Sequence, residues 1–273
     1  MASYNANETG LPTISAAERF RFDNDGYLVL HHLLSTEHVS KLLQAADRAV
    51  PRRRKCIEQG LAITGLTDLR DPDSRLFYIL DDDPLFLELL DYPAIMPYVT
   101  GLLNERPHHH ASDLIIENPK PGRPMGWHLD GHDSGYRGLG WPIPLLQLKV
   151  GYYLTDMTEP GRGNLCVIPG SHRARFEPDP EDRKRTDLFP GAVQVCAPAG
   201  SAILFHNALW HSGGPWTQTN GSRIMLYYAY EHPWMLASAE HWSYSKEFYA
   251  RLSPQQRRLF HGFVFDPPEQ RWG

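Results

Sequence analysis

Trp127-His128-Leu129-Asp130, followed far downstream by His211 and then Arg223, is the set of residues whose types and spacing suit metal chemistry. A strand repeats every two residues, so His-x-Asp in extended backbone turns an imidazole and a carboxylate to the same side. A histidine from another strand completes three donors. Two histidines and one carboxylate on one face of an octahedron leave the other positions open, the arrangement associated with oxygen-activating non-haem Fe(II). The bland alternative is chance, because the chain carries 14 histidines and short motifs recur in proteins that bind nothing.

The flanking sequence favours the metal reading. Before the motif lie the apolar run Leu114-Ile115-Ile116 and the punctuator Pro119-Lys120-Pro121-Gly122-Arg123-Pro124. Ala202-Ile203-Leu204-Phe205 leads as a strand towards His211, and Ser212-Gly213-Gly214-Pro215 then breaks the chain. Competing donors fit less well. His132 and Asp133 are adjacent and would point to opposite faces of an extended segment, and His206 is an odd interval from His211, which suits a core or supporting position. His108-His109-His110 reads as a solvated loop, and His172 as a surface-turn residue with a supporting hydrogen-bond role as the alternative.

The elements that must position these groups begin with helices. Ser15-Ala16-Ala17-Glu18 reads as a capping box, Asp25-Gly26 as a turn, and Tyr27-Leu28-Val29-Leu30 as a short strand. Ser35 opens a second helix with Val39, Leu42, Leu43 and Ala46 at helical spacing, and short helices are expected at 84–90 and 94–99. Strands follow at 145–154, 165–168, 192–195 and 201–205. Helices first and strands later imply an antiparallel sheet core with a helical flank. The strand 145–154 has two unlike faces, Leu146, Leu148, Val150, Tyr152 and Leu154 against Gln147, Lys149, Gly151 and Tyr153. An ordinary antiparallel strand would turn the polar side to solvent. In a barrel with helices packed outside, Gln147, Lys149 and Tyr153 would instead line a wet cavity. Phe176 to Arg185 is polar and proline-bearing, a candidate mobile loop or lid.

Composition bounds the partners. The length of 273 residues suits a single domain over 1–273, and 27 Lys plus Arg against 32 Asp plus Glu leave a net charge of −5 with no basic excess for nucleic acid. A small molecule is the expected partner. The dense basic run Pro51-Arg52-Arg53-Arg54-Lys55 reads as a solvated helix end or loop. Cys56, Cys166 and Cys196 give neither an even count nor Cys-x-x-Cys spacing, which fits a reducing cytoplasm. The N-terminus lacks the regions of a secretory signal, and no apolar run of about 18 residues suggests a membrane span. Oligomeric state stays open.

Three stretches together resemble the phytanoyl-CoA dioxygenase family of Fe(II)- and 2-oxoglutarate-dependent oxygenases: Trp127-His128-Leu129-Asp130, then Gly163 to Arg173, then Leu204 to His211 with Arg223 beyond. The likeness runs from near Phe20 through Arg223. It implies a mainly β fold with flanking helices, a cupin-like double-stranded β-helix or jelly roll. It also implies Fe(II) held by His128, Asp130 and His211, with 2-oxoglutarate and O2 as cosubstrates. Arg223 matches the family arginine that pairs with the far carboxylate of 2-oxoglutarate, and a guanidinium offers a fork of donors suited to that task. Ser212, Ser222 and Tyr153 are nearby hydroxyls that would assist, although Gly213 stands where family members often carry a serine. Gln147, Lys149 and Trp127 are the candidate substrate contacts; the ordinary role of an aromatic such as Trp127 is core packing. The implied reaction is hydroxylation with release of succinate and CO2, and the presence of Asp130 disfavours halogenation. Two other classes remain open: a non-catalytic cupin-like metal or ligand binder, and a zinc hydrolase using the same three ligands with water in the open position.

Overall fold

The computed structural model describes residues 5–6, 12–61, 63, 65, 67–69, 73–130, 136–175, 177–235 and 240–260. A two-residue hairpin, β1 (Asn5–Ala6) with β2 (Pro12–Thr13), precedes helix α1 (Ala16–Asp25). Ser15 and Glu18 cap each other at its start: the Ser15 hydroxyl accepts from the Glu18 amide and the Glu18 carboxylate accepts from the Ser15 amide. Two amides that lack intrahelical partners are thereby satisfied. Gly26 ends the helix at φ 82°, and a Cβ there would lie 2.5 Å from His172 Nδ1, so the turn needs glycine twice over. It feeds β3 (Tyr27–Leu30).

Helix α2 (Thr36–Glu58) starts at Ser35, whose hydroxyl accepts from the His38 amide, and buries Val39, Leu42, Ala45, Ala46 and Ala49 along one stripe. It runs straight through Pro51. The basic stretch 51–55 lies in the last turns of the helix with Pro51, Arg52, Arg54 and Lys55 exposed, the expected solvated helix end, and Arg53 is the exception, 3 % exposed and paired with Asp82. Then come β4 (Thr67–Asp68), β5 (Ser74–Phe77), α3 (Pro84–Glu88), α4 (Met96–Leu103), β6 (His108–Glu117), β7 (Gln147–Tyr153) and β8 (Leu165–Val167). The chain continues through α5 (Pro180–Arg183), β9 (Val193–Gln194), β10 (Ala202–His206), β11 (His211–Gly213) and β12 (Arg223–Glu231), and ends in short helices α6 (Glu240–Ser243), α7 (Lys246–Arg251) and α8 (Pro254–Arg257). His108 and His109 lie at the start of β6, both buried, with His109 Nε2 2.9 Å from Glu240 Oε1. The expected solvated loop is corrected to a buried strand because that ion-paired partner replaces water.

Two antiparallel sheets face each other, a seven-stranded sheet in the order β3-β10-β7-β12-β6-β5-β4 and a three-stranded sheet in the order β11-β8-β9. This is the expected jelly-roll architecture. One face of the large sheet, with Leu148, Val150, Tyr152, Leu204, Leu226 and Tyr228, packs against helical residues such as Leu42, Phe86, Val99 and Phe248. The other face, with Tyr153, Ile203, Phe205, Met225 and Tyr227, meets Leu165 and Val167 of the small sheet. Both faces are covered, so strand alternation sorts side chains between helical layer and barrel interior rather than between core and solvent. That settles the ambiguity of strand 145–154 in favour of an inward-facing Lys149.

Leu226 is fully buried under the helical layer. Leu226→Ala should lower stability by roughly 2–5 kcal/mol through lost transfer energy and the cavity left behind. Denaturant titration should show a lower midpoint at an unchanged slope.

Candidate metal centre and its cavity

Backbone pairing brings the two histidines together. His128 and His211 exchange both amide hydrogen bonds, at 3.0 and 2.9 Å, in an isolated antiparallel bridge that docks the motif onto β11. Directly opposed residues of an antiparallel pair present their side chains on one face. The two imidazole centroids are accordingly 4.3 Å apart. The motif alternates as its spacing predicts. Trp127 and Leu129 are buried among Met125, Cys166, Ile168 and Trp210, while His128 and Asp130 take the other face. The Asp130 amide donates to Asn207 O at 2.9 Å, which fixes the end of the motif against the turn before β11.

Each imidazole has a set tautomer. His128 Nδ1 lies 3.0 Å from Gly126 O, and His211 Nδ1 lies 2.9 Å from Leu209 O. A carbonyl accepts only from N–H, so both Nδ1 atoms carry the proton and both Nε2 atoms present lone pairs, the form a metal needs. Burial, reinforced by the neighbouring His128, pushes the His211 pKa down to about 3. Burial also lowers His128, which is open to the cavity on one side and enclosed by protein elsewhere. Both rings are therefore neutral at physiological pH.

Asp130 divides its oxygens. Oδ1 accepts from Lys149 Nζ at 2.9 Å, whereas Oδ2 is buried without a hydrogen-bond partner, 3.8 Å from His211 Nε2. Burial alone would raise this carboxyl's pKa. The Lys149 ammonium, with smaller contributions from the two imidazoles, outweighs burial and holds it well below the usual range. An ionised, buried oxygen with no partner is costly. A divalent cation shared with the two Nε2 atoms would remove that cost. One donor atom from each of His128, Asp130 and His211 falls within 4.8 Å of the others, so the donor set fits Fe(II).

Beyond the donors lies a cavity of about 240 Å³, lined by His128, His211, Lys149, Ser212 and Arg223 together with Arg75, Asp113, Glu117, Arg123, Phe205, Trp216 and Tyr227. Arg223 is buried at the start of β12. Its Nη1 donates to Gly163 O and its Nη2 to Glu117 Oε2, both at 2.7 Å, while Nε is buried without a partner. Glu117 Oε1 in turn accepts from Arg123 Nη1 at 3.2 Å. A carboxylate of the chain itself thus already rests on this guanidinium.

Several candidates fall elsewhere. The Tyr153 hydroxyl donates to Val195 O and accepts from the Leu165 amide inside the inter-sheet core, so it is a structural clamp off the cavity. Ser222 donates to Asn118 Oδ1 and does not line the cavity. Ser212 does line it, with its hydroxyl directed at the Met125 and Gly213 carbonyls. Trp127 packs on the face away from the donors, beside Phe189, and Gln147 is buried outside the cavity lining. Lys149 does face the cavity, but its ammonium is held by the metal-site carboxylate. His206 is core, packed between Phe22 and His172, and His172 is buried rather than a surface-turn residue, with Nε2 3.2 Å from Asp23 O. The expected lid is tied down: the Met125 and Gly126 amides donate to Arg185 O and Arg183 O. His132 and Asp133 lie outside the described residues. Arg75, Asp113, Glu117 and Arg123 are the cavity residues the sequence reading missed. The inward alternation of Asp113, Ile115 and Glu117 along β6 was the signal for two of them.

Lys149→Met keeps the apolar stem but leaves Asp130 Oδ1 without a partner. Loss of such a supporting contact should weaken metal affinity by about 10- to 100-fold, read by Co(II) titration of the apoprotein. Ser222→Ala should leave that affinity within about twofold, since surface hydroxyl changes away from such features are small.

Residues 22–225 match the family model for phytanoyl-CoA dioxygenase (PhyH). The ectoine dioxygenase of Sphingopyxis alaskensis is 29% identical over 223 residues, which cover 72% of this chain and 70% of the relative. The L-proline trans-4-hydroxylase of Streptomyces griseoviridis is 24% identical, over 76% of this chain and 83% of its own. Among solved structures, EctD from S. alaskensis with 2-oxoglutarate and 5-hydroxyectoine superposes with a TM-score of 0.61 at 26% identity, covering 84% of this chain and 79% of its own. With the model spanning most of its length and the donor set in place, the chain belongs to the phytanoyl-CoA dioxygenase family and is a non-haem iron, 2-oxoglutarate-dependent dioxygenase.

Proposed function

We propose that this enzyme hydroxylates a small polar molecule while converting 2-oxoglutarate and O2 to succinate and CO2. Fe(II) would be held by His128 Nε2, Asp130 Oδ2 and His211 Nε2, and Arg223 would anchor the far carboxylate of 2-oxoglutarate. The observation that carries this reading is an unpartnered, ionised Asp130 oxygen beside two imidazoles that share one cavity with a buried guanidinium. Iron with its cosubstrates, when bound, supplies the oxidant for a C–H bond.

The chain's own residues do the rest. The two Nδ1–H···O=C bonds hold the imidazoles in the ligating tautomer. Lys149 occupies Asp130 Oδ1 and so presents the other oxygen to the metal. Arg223 offers Nε and, once Glu117 shifts towards Arg123, Nη2 to an incoming carboxylate. Glu117 returning to the guanidinium would then help product leave. The cavity is small and its wall carries several charged groups, which suits a compact polar substrate, as the names of the ectoine and proline relatives also suggest, better than a long acyl chain. No helix among the described residues is long and apolar enough to cross a membrane.

A zinc hydrolase with the same ligands has no use for a buried carboxylate anchor, and one experiment separates the two. Anaerobic addition of Fe(II) and 2-oxoglutarate should produce a visible metal-to-ligand charge-transfer band, and in air succinate should form. Arg223→Ala should raise the KM for 2-oxoglutarate by about 10- to 100-fold, the worth of a charged hydrogen bond, and Arg223→Lys should restore it only partly because the fork is lost. Absence of the band, with zinc-dependent ester or amide cleavage in its place, would overturn the assignment.

A further inference from the structure

On β5 and β6 an ion pair lines the same cavity, apart from the three candidate metal ligands and Arg223. Arg75 Nη2 donates to Asp113 Oδ2 at 2.8 Å. Asp113 is 6 % exposed, and its Oδ1 is sealed from water without a partner; so is Arg75 Nε. The other charged groups of the wall are already committed, Lys149 to Asp130, and Arg123 and Arg223 to Glu117. Burial raises the Asp113 pKa against the opposing pull of Arg75 and Lys149.

The pair also sits close to the Lys149 ammonium that holds Asp130. In the sheet register Asp113 is opposite Tyr227, and Lys149 Nζ, which holds Asp130, lies 5.8 Å from the Tyr227 ring. Arg75 has room to turn. Its guanidinium rests over the Phe77 ring at 4.4 Å, its side chain is 43% exposed, and it borders an adjoining cavity as well. Asp113, in the middle of a ten-residue strand, is fixed.

We propose, building on the dioxygenase reading, that Arg75 and Asp113 recognise the primary substrate and that this substrate is a small zwitterion, its ammonium on Asp113 and its carboxylate on Arg75. Charge balance sets the preference. A lone anion on Arg75 would strand the buried Asp113 without a counter-ion, which is strongly unfavourable, and a lone cation on Asp113 would forgo the carboxylate contact that the half-exposed Arg75 offers. A zwitterion exchanges one pair for two at Asp113 Oδ2 and Arg75 Nη2, the atoms now spent on each other. The site therefore discriminates against mono-anions by leaving Asp113 uncompensated, and against mono-cations by offering them one contact instead of two.

The test uses the Fe(II)·2-oxoglutarate enzyme and three probe sets: free L-amino acids, their N-acetyl derivatives and their C-terminal amides. Free amino acids should perturb the charge-transfer band anaerobically and stimulate succinate release in air, with both blocked forms weaker by on the order of tenfold or more. Asp113→Asn should bring N-acetyl and free forms close to parity, and Arg75→Gln should do the same for amides. Such a relaxation of selectivity does not follow from misfolding. If a variant fails to fold, the wild-type ranking decides by itself. A band that forms normally but responds to no free amino acid, or equally to blocked forms, would overturn the zwitterion assignment and leave the dioxygenase reading standing. Failure of the band to form at all would overturn both.

Discussion

The site depends on one backbone contact, the antiparallel bridge in which His128 and His211 exchange both amide hydrogen bonds. It joins a loop-borne motif to an edge strand of the small sheet and aligns two side chains that are far apart in sequence. Because the pairing is reciprocal, neither histidine's backbone can shift without breaking hydrogen bonds. The carbonyls of Gly126 and Leu209 then fix the ring protons. Rigid placement of this kind is what a metal site with open positions needs, since ligands held loosely would close around the ion and fill those positions.

Around that bridge the cavity is organised by paired charges rather than by apolar surface. Asp130 with Lys149, Glu117 with Arg223 and Arg123, and Asp113 with Arg75 each place an acid against a base on the inward side of the large sheet. The acid of each pair is buried enough that removal of its basic partner strands it. Each also leaves an atom over. Asp130 Oδ2, Arg223 Nε, Asp113 Oδ1 and Arg75 Nε are all sealed from water and unpartnered. Arg223, Asp113 and Arg75 line the cavity itself, and Asp130 adjoins it through Lys149 and the two histidines.

The large sheet makes this possible by being covered on both sides. Helices α2, α3, α4 and α7 pack on its outer face, so inward positions need not supply the bulk of the core and are released to carry charge. Tyr153 shows the limit of that freedom. It points inward like Lys149, yet it lies where the two sheets close upon each other, and its hydroxyl ties Val195 and Leu165 together instead of facing a ligand.

Much was legible in the sequence because it is local. The capping box at Ser15, the turn at Gly26, the helical stripe of α2 and the strand-period spacing of His128 and Asp130 all follow from short-range stereochemistry, and the metal donors were readable for that reason. What the sequence could not supply was partnership across the fold. Whether Arg53 and His109 were solvated depended on Asp82 and Glu240, remote residues that only the assembled chain brings into contact. The same holds in the cavity, where Glu117 reaches Arg223, Arg75 reaches Asp113 and Lys149 reaches Asp130 through strand order and register. Residue spacing fixes which way a side chain points from its own strand; which side chain it meets is decided by how strands distant in sequence are laid beside one another.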